Sequence, residues 1–232
     1  MMRTKSLYKV VPSLITYTGL ASAFAAVVLA LHDMLPLSGV CIIVGYVLDG
    51  ADGAVARRLD VASAFGLQLD SLVDVVAFGV APSVLVYQHL RSLVVNPVVG
   101  WVVCVVYLIG GTFRLARFNL LPAKTSHSES VGLTISTSGA TLALGVLVND
   151  AYGQRSMSVP VILALVAVLT FLMVSRVRYP ALASMLRRRR LSVTLLGTAA
   201  VLAVWLSPQL IALGLTGGYV SFGLIRAIYD ML

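Results

Sequence analysis

Four aspartates recur at helical spacing in a chain that is otherwise strongly hydrophobic: Asp49, Asp52, Asp70 and Asp74. An ionised side chain at bilayer depth costs about 3 kcal/mol, so four uncompensated carboxylates cost on the order of 10 kcal/mol. Divalent cations offset such a cost. No histidine or cysteine occurs between Asp49 and Asp74, and oxygen donors alone suit Mg²⁺, Mn²⁺ or Ca²⁺ rather than zinc. Because two such ions can clamp a phosphate, the pattern predicts displacement chemistry at phosphorus.

Helical periodicity places these aspartates on two faces. One face belongs to a predicted helix over 36–57, and its members are Asp49, Asp52, Gly53 and Ala56. The other belongs to a predicted helix over 63–88, and its members are Gly66, Asp70 and Asp74. The loop 58–62 is short, so the helices are expected to be antiparallel neighbours with facing acidic stripes. The small residues leave room for a nucleotide, and Arg57 is expected to pair with phosphate or with an aspartate.

Composition predicts an all-α, polytopic transmembrane bundle of six to eight spans in a single domain, 1–232. Of the 232 residues, 59% are hydrophobic and 11% are charged, and the mean hydropathy is +0.97. The candidate spans are 11–31, 36–57, 63–88, 96–118, 131–149, 158–175, 191–206 and 209–229. Residues 1–10 carry Arg3, Lys5 and Lys9 among apolar residues, which indicates either a short interfacial helix or a basic tail.

The distribution of basic residues predicts the orientation. The net charge is +8, but the basic residues concentrate in alternate loops, and the opposite loops hold only Arg91 and Arg155. This positive-inside pattern argues against nucleic acid as a partner. It places the N-terminus and the acidic residues at the cytoplasmic side of the cell membrane.

Two other classes of protein also place carboxylates in spans. A structural membrane protein uses them to fix helix packing, and a divalent-cation transporter uses them as a transit site. A transporter is expected to have polar residues along both halves of its path, whereas the outer halves of these predicted spans are almost entirely apolar.

The string Asp49-x2-Asp52-Gly53-x2-Ala56-Arg57-x8-Gly66-x3-Asp70-x3-Asp74 resembles the signature of the CDP-alcohol phosphatidyltransferases at all eight fixed positions. The resemblance implies a membrane enzyme, acting among membrane lipids as a homodimer, that moves a phosphatidyl group from a CDP-linked lipid to an alcohol and releases CMP. It implies two Mg²⁺ or Mn²⁺ ions held by the four aspartates, with Asp74 also the base. The implied CDP-binding residues are Asp49, Asp52, Gly53, Ala56, Arg57, Gly66 and Asp70.

Two further segments resemble the branch of this family that uses CDP-diacylglycerol and L-serine. They are Phe78-Gly79-Val-Ala81-Pro82 and Phe113-Arg114-Leu-Ala-Arg117-Phe118-Asn119. Arg114, Arg117 and Asn119 are the expected binding residues for serine or phosphate, because paired arginine donors match a carboxylate. The alternative for both arginines is a topology signal or a grip on lipid phosphate.

The chain departs from that branch at two places. Ser13 follows Pro12 where the branch often has asparagine, and Gly132-Leu133-Thr134-Ile135-Ser136 lacks the two prolines that usually follow the glycine and leucine. The glycerophosphate branch commonly has lysine after the last aspartate, where this chain has Val75. Inositol phosphate, glycerol phosphate and an archaeal ether-lipid system stay open as alternative acceptor systems.

Overall fold

The structure is a computed structural model that describes residues 2–59, 61, 63–93, 95–120, 129–151, 158–180, 214, 216–221 and 225. The side chains of residues 2–9 and of Arg57 are not among those described. The elements in chain order are α1 (Met2–Leu31), α2 (Leu35–Arg58), α3 (Ala64–Asp74), a π-helical segment (Val75–Val80), α4 (Ala81–Ser92), α5 (Pro97–Asn119), β1 (Glu129–Val131), α6 (Ile135–Ala151), α7 (Val159–Val174) and β2 (Arg178–Pro180). The predicted helical architecture is confirmed.

Four stretches of the described chain are long and apolar enough to cross a membrane: Val10–Leu31, Leu35–Ala56, Ala64–Ser92 and Pro97–Asn119. They correspond to the first four predicted spans. Helices α6 and α7 occupy the next two but have only 17 and 16 residues. The predicted span 191–206 and most of 209–229 lie outside the described residues.

The N-terminal segment is helical, as predicted, but it does not end before the first span. Helix α1 runs without a break from Met2 to Leu31 and includes Pro12. The physical reason is that residues 2–11 contain no glycine or proline that would stop a helix. The interfacial segment is therefore the first part of α1 rather than a separate element.

Helices α1 and α2 form a close antiparallel pair that carries two of the four signature aspartates, Asp49 and Asp52. Their contact uses small side chains, with Ala23 and Ala26 almost fully buried. Ser22 Oγ donates to the Cys41 carbonyl at 2.8 Å, and Ser38 Oγ donates to the Ala26 carbonyl at 2.8 Å. Small residues and interhelical hydroxyl hydrogen bonds are typical of membrane helix contacts. Lipid tails are as apolar as the side chains, so helix association depends on close packing and hydrogen bonds.

A π-helical segment follows the last aspartate, and its cause lies in the sequence. Pro82 has no N–H, so the Phe78 carbonyl one turn earlier has no helical donor. The buried Tyr107 hydroxyl donates to that carbonyl at 2.9 Å, and the Ala81 N–H bonds to the Val76 carbonyl instead. The wider turn keeps α3 and α4 in one continuous span, Ala64–Ser92. Single π-helical turns of this kind are frequent beside functional sites.

Helix α6 is surrounded by other helices. Its residues 137–149 are all buried, and it contacts α2, α4 and the π-helical segment. A Cβ on Gly139 would lie 3.0 Å from the Phe78 Cα and carbonyl oxygen, so glycine permits the close approach of α6 to the π-helical segment. This contact fixes where the first turn of α6 lies relative to the acidic residues.

A two-stranded antiparallel sheet joins the chain before α6 to the chain after α7. The pairs are Glu129 with Pro180, Ser130 with Tyr179 and Val131 with Arg178. The sequence analysis predicts no strand, because three residues are too few for an alternating pattern. The sheet lies at the same end of the bundle as the C-terminus of α5.

Candidate active site

Side chains from α2 and α3 converge and bring three carboxyl groups together. Oxygens of Asp49, Asp70 and Asp74 all lie within 4.8 Å of one another. The Asp49 and Asp74 carboxyl groups are close enough to interact electrostatically. Asp74 is only 9% exposed. The facing stripes that helical periodicity predicts are therefore present in the structure.

The fourth aspartate is held from α1. Thr16 Oγ1 lies 2.6 Å from Asp52 Oδ2 and 3.0 Å from the Pro12 carbonyl oxygen. Asp52 is 6% exposed, and it lines a void of about 10 Å³ together with the other three aspartates. The sequence analysis does not include Thr16 among the site residues, although a hydroxyl four residues after Pro12 on an apolar helix was a usable signal.

A larger cavity of about 230 Å³ opens beside the aspartates. Asp52 and Asp70 line both this cavity and the smaller void. The other walls of the larger cavity come from α1, α2, α3 and the loop between α2 and α3. The residues that line these walls are Pro12, Ser13, Thr16, Gly53, Ala56, Val61, Ser63, Gly66, Leu67 and Leu69. The predicted small residues thus lie at one cavity, while the side chain of Arg57 lies outside the described part.

Gly66 lies at the N-terminal turn of α3. Ser63 caps this helix, and its Oγ accepts a hydrogen bond from the Gly66 N–H at 3.1 Å. A Cβ on Gly66 would lie 3.3 Å from that oxygen, so glycine leaves room for both the cap and the cavity. The cap fixes the start of the helix that carries Asp70 and Asp74.

A second hydroxyl approaches the aspartates from α6. The Ser136 side chain, on the first turn of α6, lies near Asp49. Ser136 lies in the segment where this chain lacks the prolines of the resembled branch. The sequence analysis treats that segment only as a departure and does not assign it to the site.

Arg114 lies next to Asp74, near the C-terminus of α5. It is 5% exposed and interacts electrostatically with Asp74. Its guanidinium carbon is 5.6 Å from the centre of the Phe118 ring. Arg114 is therefore a buried cation at the edge of the acidic cluster, where the sequence analysis expects a substrate-binding residue.

Tyr219 lies near Arg114, and Tyr46 and Tyr179 lie near Tyr219; none of the three was predicted from the sequence. Tyr219 lies within electrostatic range of both Arg114 and Tyr46, and its ring centre is 5.2 Å from that of Tyr179. The buried Tyr179 hydroxyl has no hydrogen-bond partner among the described residues. Burial raises the pKa of Tyr179 to about 12, so this phenol remains a donor at neutral pH.

Arg117 makes main-chain contacts that argue against the predicted substrate role. Its guanidinium donates to the carbonyls of Val174 at 2.9 Å, Ser175 at 3.0 Å and Val131 at 3.2 Å. It thereby satisfies the last carbonyls of α7, which have no helical donors, and ties them to β1. A substrate carboxylate would have to displace these bonds, so the described contacts favour a structural role, and the role of Arg117 toward serine or phosphate stays a prediction.

Arg117→Lys is expected to lower stability, because one ammonium cannot reach the same set of carbonyls. Loss of two charge-assisted hydrogen bonds gives a destabilisation of about 3 to 6 kcal/mol, measured as a lower unfolding temperature in detergent. KM values of the folded fraction should stay unchanged. Arg176→Lys, at an exposed arginine nearby, is the matched control. A raised KM for the acceptor without loss of stability would restore the substrate role.

Asn119 also contacts the protein itself. Its Nδ2 donates to Ser71 Oγ at 3.1 Å. This bond ties the end of α5 to the residue that follows Asp70 on α3. Asn119 therefore positions α3, and no described contact links it to the aspartate oxygens.

The donor set fits hard divalent cations. Three carboxylates within 4.8 Å, with a fourth lining the same void, offer oxygen ligands only, as Mg²⁺ and Mn²⁺ prefer. Thr16 holds the Asp52 carboxylate, as outer partners of metal ligands commonly do.

Comparison with known proteins agrees with this geometry. A model of the CDP-alcohol phosphatidyltransferase family matches residues 9–173. The chain is similar to the CDP-diacylglycerol--serine O-phosphatidyltransferase of Helicobacter pylori strain J99, with 29% identity over 222 residues, 95% of this chain and 92% of that protein.

Enzymes of the same name from Bacillus subtilis and Methanocaldococcus jannaschii are also similar. The first is 32% identical over 171 residues, 73% of this chain and 89% of the relative. The second is 36% identical over 136 residues, 58% of this chain and 59% of the relative. The family match covers α1 to the last turn of α7 and includes every aspartate of the site, so this membrane-embedded chain belongs to the CDP-alcohol phosphatidyltransferase family.

Proposed function

We propose that the chain transfers the phosphatidyl group of CDP-diacylglycerol to the hydroxyl of L-serine, giving phosphatidylserine and CMP. The observation that carries the proposal is the cluster of Asp49, Asp70 and Asp74 oxygens within 4.8 Å, beside a cavity that Asp52 and Asp70 also line. The relatives that carry this name support the choice of serine.

Each signature residue has a role in this proposal. Gly53, Ala56 and Gly66 line the cavity and leave space for the CDP group, and Arg57 pairs with its phosphate. Asp49, Asp52, Asp70 and Asp74 hold the divalent ions. Mg²⁺ or Mn²⁺, as a pair, would supply charge neutralisation at the phosphates.

Asp74 acts as the general base in the displacement. The serine oxygen forms a bond to the phosphorus that carries the diacylglycerol, and the bond from that phosphorus to the CMP oxygen breaks. The hydroxyl proton passes to the Asp74 carboxylate. Burial at 9% exposure keeps water away from this step and favours the positioned alcohol.

Arg114 binds the serine carboxylate. It is buried, it lies in electrostatic range of Asp74, and its planar donors match a carboxylate in a paired geometry. The Tyr219 phenol lies within electrostatic range of Arg114, and its ring packs against that of Tyr179.

The positive-inside pattern of the loops supports an active site that faces the cytoplasm from a cell membrane. Serine then arrives from the cytoplasm, CMP returns there, and the lipid enters sideways from the bilayer. The single domain acts as a homodimer in this proposal.

Purified protein with CDP-diacylglycerol and Mn²⁺ is expected to release CMP only when L-serine is added. The measurement compares CMP release with serine, glycerol 3-phosphate, inositol phosphate and no acceptor. A response to a different acceptor would contradict the serine assignment and leave the transferase assignment intact. No CMP release with any acceptor, from protein shown to bind Mn²⁺, would contradict both.

A further inference from the structure

One signature aspartate is held by a residue that the signature does not contain. Thr16 Oγ1, on α1, donates to Asp52 Oδ2, on α2, at 2.6 Å, and both side chains are buried. We propose that Thr16 is a positioning residue, which fixes the Asp52 carboxylate at the wall between the void of the four aspartates and the larger cavity. The inference rests on the proposed ion-binding role of the aspartates and extends it to a residue of α1.

Thr16 and Asp52 lie where the two spaces meet. Both residues line the void of about 10 Å³ that the four aspartates share, and both line the cavity of about 230 Å³. Asp70 is the only other residue of the described chain that lines both spaces. A rotation of the Asp52 side chain would therefore change the shape of the ion site and of the larger cavity together.

The Thr16 hydroxyl has little freedom to move. Threonine is branched at Cβ, so its χ1 angle is restricted in a helix. Its Oγ1 also lies 3.0 Å from the Pro12 carbonyl oxygen, one turn earlier on α1, a contact typical of threonine within a helix. A hydroxyl has one proton, and an ionised carboxylate is a stronger acceptor than a carbonyl. The shorter distance to Asp52 therefore marks the main hydrogen bond.

The crossing of α1 and α2 sets the register of this hydrogen bond. A Cβ on Gly45 would lie 3.9 Å from the Gly19 carbonyl oxygen, so the two backbones lie close together one turn from Thr16. Farther along the pair, Ser22 Oγ donates to the Cys41 carbonyl at 2.8 Å. Close backbone approach and interhelical hydroxyl bonds hold membrane helices together. A fixed helix, rather than a loop, thus presents the hydroxyl to the carboxylate.

The chemistry of the pair favours a positioning role. A carboxylate has about four lone-pair positions, so one fixed hydrogen bond restrains its rotation and leaves positions for cations. Loss of an outer partner of a metal ligand typically lowers metal affinity or activity by about 10- to 100-fold. The Thr16 hydroxyl contacts neither phosphorus nor acceptor in this assignment.

Thr16→Val tests the proposal, because valine keeps the shape of threonine and removes the hydroxyl. Mn²⁺ binding to the full chain in detergent, followed by electron paramagnetic resonance without lipid or serine, should weaken about 10-fold or more. Thr16→Ala removes the hydroxyl without placing a methyl group against the carboxylate, and it should show the same loss. Thr16→Ser keeps the hydroxyl and should restore most of the affinity.

The same helix supplies a matched control in Thr18→Val. Thr18 is exposed, and its Oγ1 donates to the Leu14 carbonyl at 2.8 Å, the same contact with the preceding turn that Thr16 makes. Mn²⁺ affinity should therefore be unchanged in Thr18→Val. A loss of Mn²⁺ affinity in Thr18→Val equal to that in Thr16→Val would assign the effect to α1 as a whole and overturn the role of the Thr16 hydroxyl.

CMP binding at saturating Mn²⁺, measured by calorimetry, separates positioning from direct contact with a nucleotide. It should be alike in Thr16→Val and the unsubstituted protein, because bound ions then hold Asp52 in place. Normal Mn²⁺ affinity of Thr16→Val together with weaker CMP binding would assign the hydroxyl to the nucleotide and overturn the proposal.

Equal Mn²⁺ affinity of Thr16→Val and the unsubstituted protein would also overturn the role of Thr16. Asp70→Asn separates this failure from failure of the ion site. If the unsubstituted protein and Asp70→Asn bind Mn²⁺ equally, the proposed ion site itself is wrong, and the role of Thr16 with it. The Mn²⁺ measurement contains no acceptor, so a wrong assignment of serine would leave its result unchanged.

Discussion

Asp74→Asn is expected to reduce CMP release at least about 1,000-fold, because a general base alone contributes about 100- to 10,000-fold. Asparagine has nearly the same shape, but it accepts no proton at neutral pH and is a poor ligand for a hard cation. Asp74 lies within 4.8 Å of the oxygens of two other aspartates, so the substitution removes both the base and one ion ligand. The measurement is serine-dependent CMP release at saturating CDP-diacylglycerol.

The matched control is Asp33→Asn in the turn between α1 and α2. Asp33 is exposed and has a φ of 60°, a conformation that asparagine also tolerates, so activity and unfolding temperature should both be retained. Asp74→Asn should likewise keep its unfolding temperature, since it relieves repulsion between carboxylates. Near-normal turnover by folded Asp74→Asn would refute the role of Asp74 as the base.

The acidic site was predictable because its geometry is local. Within one helix, residues three or four apart share a face, and a short connection makes consecutive helices neighbours. Asp49, Asp70 and Asp74 therefore meet in the structure as their spacing indicates. The same reasoning places Gly53 and Gly66 at one cavity.

The partners of the two arginines on α5 were not predictable, because they depend on contacts that are distant in sequence. Arg117 bonds to a carbonyl 57 residues away at the end of α7, and no local pattern encodes that distance. Arg114 differs from it by one helical turn and lies beside Asp74 instead. Two residues of identical type and similar sequence context thus have different contacts, and the packing of α7 and β1 against Arg117 accounts for the difference.

The π-helical segment shows that a proline visible in the sequence does not by itself determine whether a span breaks. Pro82 inside an apolar span predicts a break or a kink. The span continues because Tyr107, from α5, supplies the missing donor to Phe78 at 2.9 Å. The proline was visible in the sequence, whereas the compensating hydroxyl required the tertiary structure.

Arg114→Lys is expected to raise KM for L-serine about 10- to 100-fold, the effect of losing one charge-assisted hydrogen bond of about 1.5 to 3 kcal/mol. Lysine keeps the positive charge that interacts with Asp74, so kcat should fall much less than KM rises. KM for CDP-diacylglycerol should stay unchanged. L-serinamide, which has no carboxylate, should be a poor acceptor for the unsubstituted enzyme and should be affected little by the substitution.

The matched control for this substitution is Arg91→Lys at the other end of the bundle. Arg91 is exposed and donates to Gln88 Oε1 at 3.1 Å, so both KM values should be retained. The two KM values of Arg114→Lys also distinguish serine binding from the alternative in which Arg114 binds lipid phosphate. In that case Arg114→Lys would raise KM for CDP-diacylglycerol and leave KM for serine unchanged, and serine and serinamide would be affected equally. A selective effect on serine requires that the guanidinium contact the acceptor carboxylate, because no other group distinguishes the two acceptors.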